Sequence, residues 1–417
     1  MGALWHPFSA MSDVEASGDF VVDRGEGCWI WDEAGRRYLD AAAGLWFVNV
    51  GHGRSELAEV AARQMQRLAA YHTFGDVATG PTLELADRLA SIAPMDDAKV
   101  FLTSGGSDSV DTAAKLARRY WHEQGSPERR VVISRTKAYH GMHVGGTAFG
   151  GIPGNTEGYG TLMPDTSQVV WDSPDALREG IERVGPGNVA AFICEPVIGA
   201  GGVYPPPEGY LAAVRQVCRE YDVLFIADEV VTGFGRIGGS WFASGRFDLD
   251  PDIVTVAKGL TSGYLPMGAV LVGRRVSEPF FAPGAGVWWR HGYTYSGHAT
   301  AAAVALANLD ILEKEGLLAE SKRLERTLAE TLAPLADHPL VTEVRAGVGA
   351  LAAIQLADGA LAQPAVLALR RQGVSTRGVG AGGLQVSPSF VMTDDEVGVL
   401  ADATWAALDE LTPRRAG

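Results

Sequence analysis

The chain has 417 residues, 35 basic and 50 acidic side chains and a formal net charge of −15; this balance excludes a broad basic face for nucleic acid or an anionic membrane. Apolar residues at 47% and charged residues at 20% describe an ordinary globular protein with enough length for two or three domains, and exclude whole-chain disorder. No apolar run approaches the ~20 residues of a membrane helix, Met1 to Phe20 lacks a basic start followed by an apolar stretch, and Cys28, Cys194 and Cys218 show no metal spacing, so a cytoplasmic, disulfide-free protein is expected.

In chain order, Cys28 to Trp31 reads as a strand followed by a turn at Asp32 to Gly35. Val100 to Thr103, Val131 to Ser134, Ala190 to Cys194, Leu224 to Ala227 and Ile253 to Ala257 are short apolar runs, each closed by polar residues or glycine. They read as buried parallel strands. Helical periodicity fills some of the gaps: Asp108 to Glu123 carries Val110, Ala114, Ala117 and Trp121 at helical spacing, and Tyr210 to Tyr221 places Leu211, Val214 and Val217 on one face. After Gly297 the texture changes to two Ala/Leu-rich helices, Ala299 to Glu315 and Leu317 to Leu335. A strand near Gly349 to Leu356 and a helix at Pro364 to Gln372 follow. The expectation is an α/β protein with a large domain over 56–309 around a mostly parallel sheet, and a smaller α+β domain over 310–417 with which residues 1–55 pack.

In open α/β sheets ligands bind beyond the carboxyl ends of the strands. Five such ends carry chemistry: Ser104-Gly105-Gly106-Ser107, Tyr139-His140-Gly141, Glu195-Pro196, Asp228-Glu229 and Lys258-Gly259. Six of the 35 basic residues are lysine, and only Lys258 closes a strand-like run. It is either a strand-end lysine paired with a surface carboxylate or an amine of depressed pKa able to form a Schiff base. Asp228, 30 residues earlier, suits a neighbouring strand end. Alone it also fits a helix cap or a Mg²⁺ ligand; facing a lysine, it fits the partner of a protonated pyridine nitrogen. The Ser104 to Ser107 loop combines free N–H groups, a helix dipole and a hydroxyl, which makes either a phosphate seat or a glycine turn capped by Ser107. It lacks the lysine of a nucleotide P-loop. Gly233-Phe234-Gly235-Arg236-Ile237-Gly238 matches a dinucleotide fingerprint, but Gly239-Ser240-Trp241-Phe242 follows it instead of an amphipathic helix. His140 and His143 have no evident third metal ligand, and no metal site is expected.

These residues resemble the class III pyridoxal-phosphate-dependent aminotransferases of fold type I, in the ω-amino acid:pyruvate branch. The resemblance runs through Leu4-Trp5-His6-Pro7, Gly44 to Arg54, the Ser104 to Asp108 loop, Tyr139-His140-Gly141, Glu195-Pro196-Val197, Asp228 to Arg236, Ala257 to Pro266 and His291 to His298. It implies pyridoxal 5'-phosphate (PLP) as cofactor, joined to Lys258 as a Schiff base and paired at its ring nitrogen with Asp228. Tyr139 and Val230 would flank the ring, Gly106 and Ser107 would hold the phosphate, and Glu195 would lie near the cofactor edge. Thr294 would reach the phosphate of a neighbouring subunit, which requires a homodimer with sites at the subunit interface. Trp46, Tyr71, Phe74, Tyr139 and Arg377 would meet the substrates, Arg377 pairing with the acceptor's carboxylate. The implied activity is ping-pong transamination from an ω-amino acid or primary amine to pyruvate or another keto acid. 4-Aminobutyrate and diaminopelargonate aminotransferases share the catalytic set, and a racemase or aminomutase on the same scaffold is the alternative of a different class.

Overall fold

A computed structural model describes residues 2–412. Its centre is a seven-stranded sheet formed by β1 (Lys99–Thr103), β2 (Val131–Arg135), β3 (Thr166–Val169), β4 (Val189–Cys194), β5 (Leu224–Asp228), β6 (Ile253–Val256) and β7 (Gly268–Val272). The spatial order is β1-β7-β6-β5-β4-β2-β3. Six strands run parallel, and β7 lies antiparallel between β1 and β6. The five expected runs are all strands of this sheet. The reading missed β3, which is short, and β7, whose Gly-Ala-Val-Leu-Val run is closed by Gly273 and Arg274 but runs antiparallel to both neighbours.

Burial follows the order of the strands. Every residue of β4, β5, β6 and β7 is buried, while β1, at the edge, is enclosed only at Thr103. β1 is therefore less buried than expected, because its one sheet neighbour is β7. Each fully buried Val, Ile or Phe in the central strands contributes about 1.5–3 kcal/mol, enough together to sustain charged groups at the strand ends.

The helix Gly106–Glu123 follows β1 directly and buries Val110, Ala113, Ala114, Ala117 and Trp121 against the sheet, so its N-terminus sits at the carboxyl edge. Its first residues start two positions earlier than periodicity suggests, since Gly106 and Ser107 carry no apolar signal. The helix Leu317–Leu332 stops short of the expected Leu335: Pro334 cannot continue the hydrogen-bond ladder, and Ala333–Asp337 is a 3₁₀ turn instead.

Two smaller sheets flank the centre. Val22–Glu26, Trp29–Asp32 and Arg37–Asp40 form an antiparallel meander, and Val374–Ser375 adds to it in parallel with Arg37–Asp40. Val341–Arg345, Ala352–Leu356, Gly383–Val386 and Gly378–Val379 form the other. The chain's beginning and its last hundred residues thus share a sheet. The division expected after residue 309 falls inside the helix Ala299–Lys314. Among the described residues no helix is long and apolar enough to cross a membrane.

Candidate active site

The parallel register pairs Asp228 with Thr255 across β5 and β6, so the two side chains meet at the same level of the sheet. Asp228 is 4% exposed. Its Oδ1 accepts from the Thr255 hydroxyl at 3.0 Å and from the Val230 amide at 3.1 Å. Its Oδ2 lies 2.7 Å from Nδ1 of buried His140. An ionised carboxylate only accepts, so Nδ1 carries the proton. Three donors thereby offset the desolvation of a carboxylate, a penalty of several kcal/mol when unmet. Nε2 of His140 is buried without a partner.

Lys258 opens β6 into a short turn and is half-buried. Burial lowers its pKa, with Asp228 and Glu195 opposing and Arg377 adding to the shift. The free-base form is thereby made more accessible near neutrality, as a nucleophilic amine requires. The surface ion pair that would explain a strand-end lysine is absent among the described residues.

Glu195 lies just past β4. Its Oε1 accepts from the Tyr139 amide and its Oε2 from the Gly199 amide, both at 2.9 Å, and burial raises its pKa. The carboxylate therefore fixes the loop that presents Tyr139. Burial also raises the Tyr139 pKa, against the nearby charge of Arg377.

At the start of the helix Gly106–Glu123 the N-cap is Gly105 and makes no side-chain cap bond. Ser107 is therefore not the cap; its Oγ accepts from the Met142 amide at 3.1 Å. Gly106 is required by proximity, since a Cβ there would stand 2.8 Å from Cγ1 of Val230. Unpaired N–H groups and the positive helix end face the same space.

One cavity of about 140 Å³ is lined by Gly106, Ser107, Tyr139, Glu195, Asp228, Val230 and Lys258, together with Val110, His140, Gly141 and Val231. Seven of the expected residues are thus gathered from five strand ends. Arg377 is exposed and close enough for its charge to act on Lys258 and Tyr139. The remaining expected residues do not line this cavity. Trp46 is 3% exposed and belongs to a hydrophobic cluster with Val197, Val203 and Val379. Tyr71 and Phe74 are 54% and 52% exposed, and Thr294 is exposed as well. Phe74 lines a separate cavity with Trp288, Trp289 and His291.

The Gly233 to Gly238 motif leads into no helix of the dinucleotide-binding kind. Gly239 bonds to Leu318, and Arg236 is buried with its guanidinium bonded to Asn49, Ala350 and Pro388. The motif is a structural tie between distant segments.

Comparison with known proteins decides what this arrangement belongs to. The family model for class III aminotransferases matches residues 11–408. The chain is a class III aminotransferase. A putrescine–pyruvate aminotransferase of Pseudomonas aeruginosa is 44% identical over 376 residues, covering 84% of this chain and 80% of that protein. An (S)-enantioselective omega-transaminase from Thermomicrobium roseum superposes with a TM-score of 0.92 at 40% identity, covering 97% of this chain and 96% of the other. A PLP-bound amine transaminase from an uncultivated Pseudomonas species gives 0.93 at 37% identity, with 99% of both chains covered. The fold is thus that of the fold type I transferases, and the cofactor of this class III aminotransferase is PLP.

The residues present fit that cofactor by their donor chemistry. A dianionic phosphate suits the helix N-terminus with Ser107, a ring nitrogen suits Asp228, and an aldehyde suits the Lys258 amine. Sequence reasoning missed His140 and Thr255 as partners of Asp228. Thr255 was visible as the one polar residue within Ile253 to Val256; His140 was visible in the Tyr139-His140-Gly141 strand end and as a possible metal ligand, without a partner named for it.

Proposed function

We infer that this class III aminotransferase moves an amino group from a primary amine or ω-amino acid to pyruvate, in two half-reactions. The observation that carries the reading is the half-buried, pKa-depressed Lys258 amine sharing one cavity with the triply bonded Asp228 carboxylate. PLP, when bound, supplies a sink for the electron pair left by the substrate's broken C–H bond. Gly106 and Ser107 would hold its phosphate, Asp228 would keep its ring nitrogen protonated, and Tyr139 and Val230 would flank its ring. Lys258 would carry the cofactor's aldehyde, and its amine, when free, would be the base placed to move the proton of the donor's amine-bearing carbon. His140 and Thr255 orient Asp228, and Glu195 orients the Tyr139 loop. Arg377, whose charge acts on Lys258 and Tyr139, would pair with the acceptor's carboxylate.

Pyruvate as acceptor is supported by the name of the Pseudomonas aeruginosa relative and by Arg377. A homodimer is supported by Thr294, Tyr71 and Phe74 lying exposed and outside the chain's own cavity. A cytoplasmic setting is supported by three buried, unpaired cysteines. We also divide the chain after Glu315 instead of 309, which keeps the helix Ala299–Lys314 whole.

The test is a panel of amines against pyruvate and 2-oxoglutarate, read as alanine or glutamate formed. Alanine from primary amines is the expected result, with KM for pyruvate in Arg377→Ala raised roughly 10–100-fold as a charge-assisted bond of about 1.5–3 kcal/mol is lost. Turnover with 2-oxoglutarate and none with pyruvate would overturn the acceptor. Isomerised amino acid without keto-acid consumption would replace the reaction class.

A further inference from the structure

Lys258 reaches the cavity from an unusual backbone. Its φ is +43°, in the left-handed region. L-residues other than asparagine and aspartate seldom hold such a conformation unless their surroundings impose it. The surroundings here are two asparagines placed on either side of the turn.

Asn308 stands in the helix Ala299–Lys314 and is fully buried. Its Nδ2 donates to the carbonyl of Gly259 at 2.9 Å and to that of Leu260 at 3.0 Å. Its Oδ1 is buried and has no partner. The buried neighbours on that helix include Ala301, Ala302, Val304, Ala305, Leu309 and Leu312. A half-satisfied carboxamide costs stability in such company, and the return for that cost is the pairing of two carbonyls, at Gly259 and Leu260, that a leucine would leave without these donors. Helix formation and core packing therefore do not account for it; the two residues after Lys258 do.

Gly259 is held from another direction. A Cβ there would collide with Nδ2 of Asn49 and meet Cβ of Phe234 at 3.0 Å. Asn49 is itself fixed, accepting from Nη2 of Arg236 at 2.6 Å and donating to the Phe234 carbonyl at 3.1 Å. The turn is therefore bonded on one side and backed on the other.

We propose that Asn308 is a positioning residue for Lys258: its two hydrogen bonds keep the left-handed turn in place and so aim the amine into the cavity shared with Asp228. Asn308 touches neither substrate nor cofactor and acts only through the lysine. Releasing the turn changes the distance of the amine from the charges that act on it, Asp228, Glu195 and Arg377, and so changes its proton affinity as well as its reach.

The inference rests on Lys258 being the PLP-bearing amine, and the experiment separates the two. Asn308→Leu keeps the volume and removes both donors. In substrate-free, PLP-loaded protein the pH midpoint of the visible band is expected to move by at least about half a unit. In PLP-free protein the pH at which an acylating reagent labels Lys258 moves too. The kcat falls about tenfold or more while KM for pyruvate stays near wild type, since a small misplacement of a reacting group costs rate. Should Asn308→Leu fail to fold, Asn308→Asp serves. Its ionised form repels both carbonyls, and acidification restores one donor, so its loss of kcat relative to wild type grows with rising pH. Either variant folding with an unmoved midpoint, an unmoved labelling profile and wild-type kcat overturns the proposal. A visible band that survives Lys258→Ala and still reduces with borohydride onto the protein refutes the lysine reading instead.

Discussion

At the carboxyl ends of the central sheet, seven expected residues share one cavity inside a single chain, whereas Tyr71, Phe74 and Thr294 lie on its exposed face beside Trp288 and Tyr295, 70% and 67% exposed. The first region is supported from below by fully buried strands. Its carboxylates are satisfied by backbone amides, a threonine and a histidine of the same chain. The second region carries large apolar rings open to solvent and no charged group that this chain's cavity needs. The contrast suggests a division of labour. Charge has to be placed where one chain's core can bear its desolvation, while in the proposed homodimer shape and phosphate contacts would come from the exposed surface of the second subunit.

The strongest break of this comparison is Lys258→Ala. Transamination is expected to fall by at least about a thousandfold as nucleophile and proton carrier are lost together, and the borohydride-reducible protein label disappears. A variant retaining a tenth of wild-type turnover would move the chemistry elsewhere. Asp228→Asn comes next. It keeps the side chain's size and one acceptor for Val230 and Thr255 but removes the charge and turns a donor toward Nδ1 of His140, so kcat should drop about 10²–10³-fold and the melting temperature should fall with it.

The exposed region is tested by Thr294→Ala. Losing one hydrogen bond to a phosphate, about 1.5–3 kcal/mol, weakens PLP binding roughly 10–100-fold. Mixed with Lys258→Ala, it should give hybrid dimers that recover activity in one of their two sites. Unchanged affinity, together with a monomer in sedimentation, would leave the outer face outside the site.

The smallest effect concerns His291, which fixes that outer segment to the helix Gly106–Glu123. Its Nε2 lies 2.8 Å from Thr112 Oγ1 and its Nδ1 2.9 Å from Lys115 Nζ. Burial, with Lys115 adding, pulls its pKa down to about 4. The unfolded chain therefore binds more protons than the folded one between about pH 4 and 6.5, and stability rises with pH across that window. His291→Gln should flatten the rise by ~1 kcal/mol, after allowance for solvent screening. An unchanged slope in melting temperature between those pH values would remove the histidine from the account.

Legibility was uneven for physical reasons. Strand ends were easy because a polar residue after a buried apolar run is a costly choice, and Asp228, Lys258 and Glu195 each stand at one. β7 was missed although Gly273 and Arg274 close it, because it runs antiparallel and brings no chemistry to the carboxyl edge of its neighbours. Thr255 was missed because its importance lies in a register between two strands. Trp46, Tyr71 and Phe74 could not be sorted in advance: an aromatic ring serves a core, a cavity or an interface with the same atoms, and only its neighbours distinguish these.

From the order of its residues alone, this protein was committed to a sheet of short apolar strands, a glycine-serine helix start after the first of them, and a lysine and an aspartate at separate strand ends, because periodicity and the cost of burying charge are local signals. Tertiary packing alone decided that Asp228 meets Thr255 and His140, that Ser107 answers Met142 instead of capping its helix, and that Asn308 braces the turn at Lys258. Those contacts join segments dozens of residues apart, and the hydrogen bonds that define them exist only once the sheet has set its register.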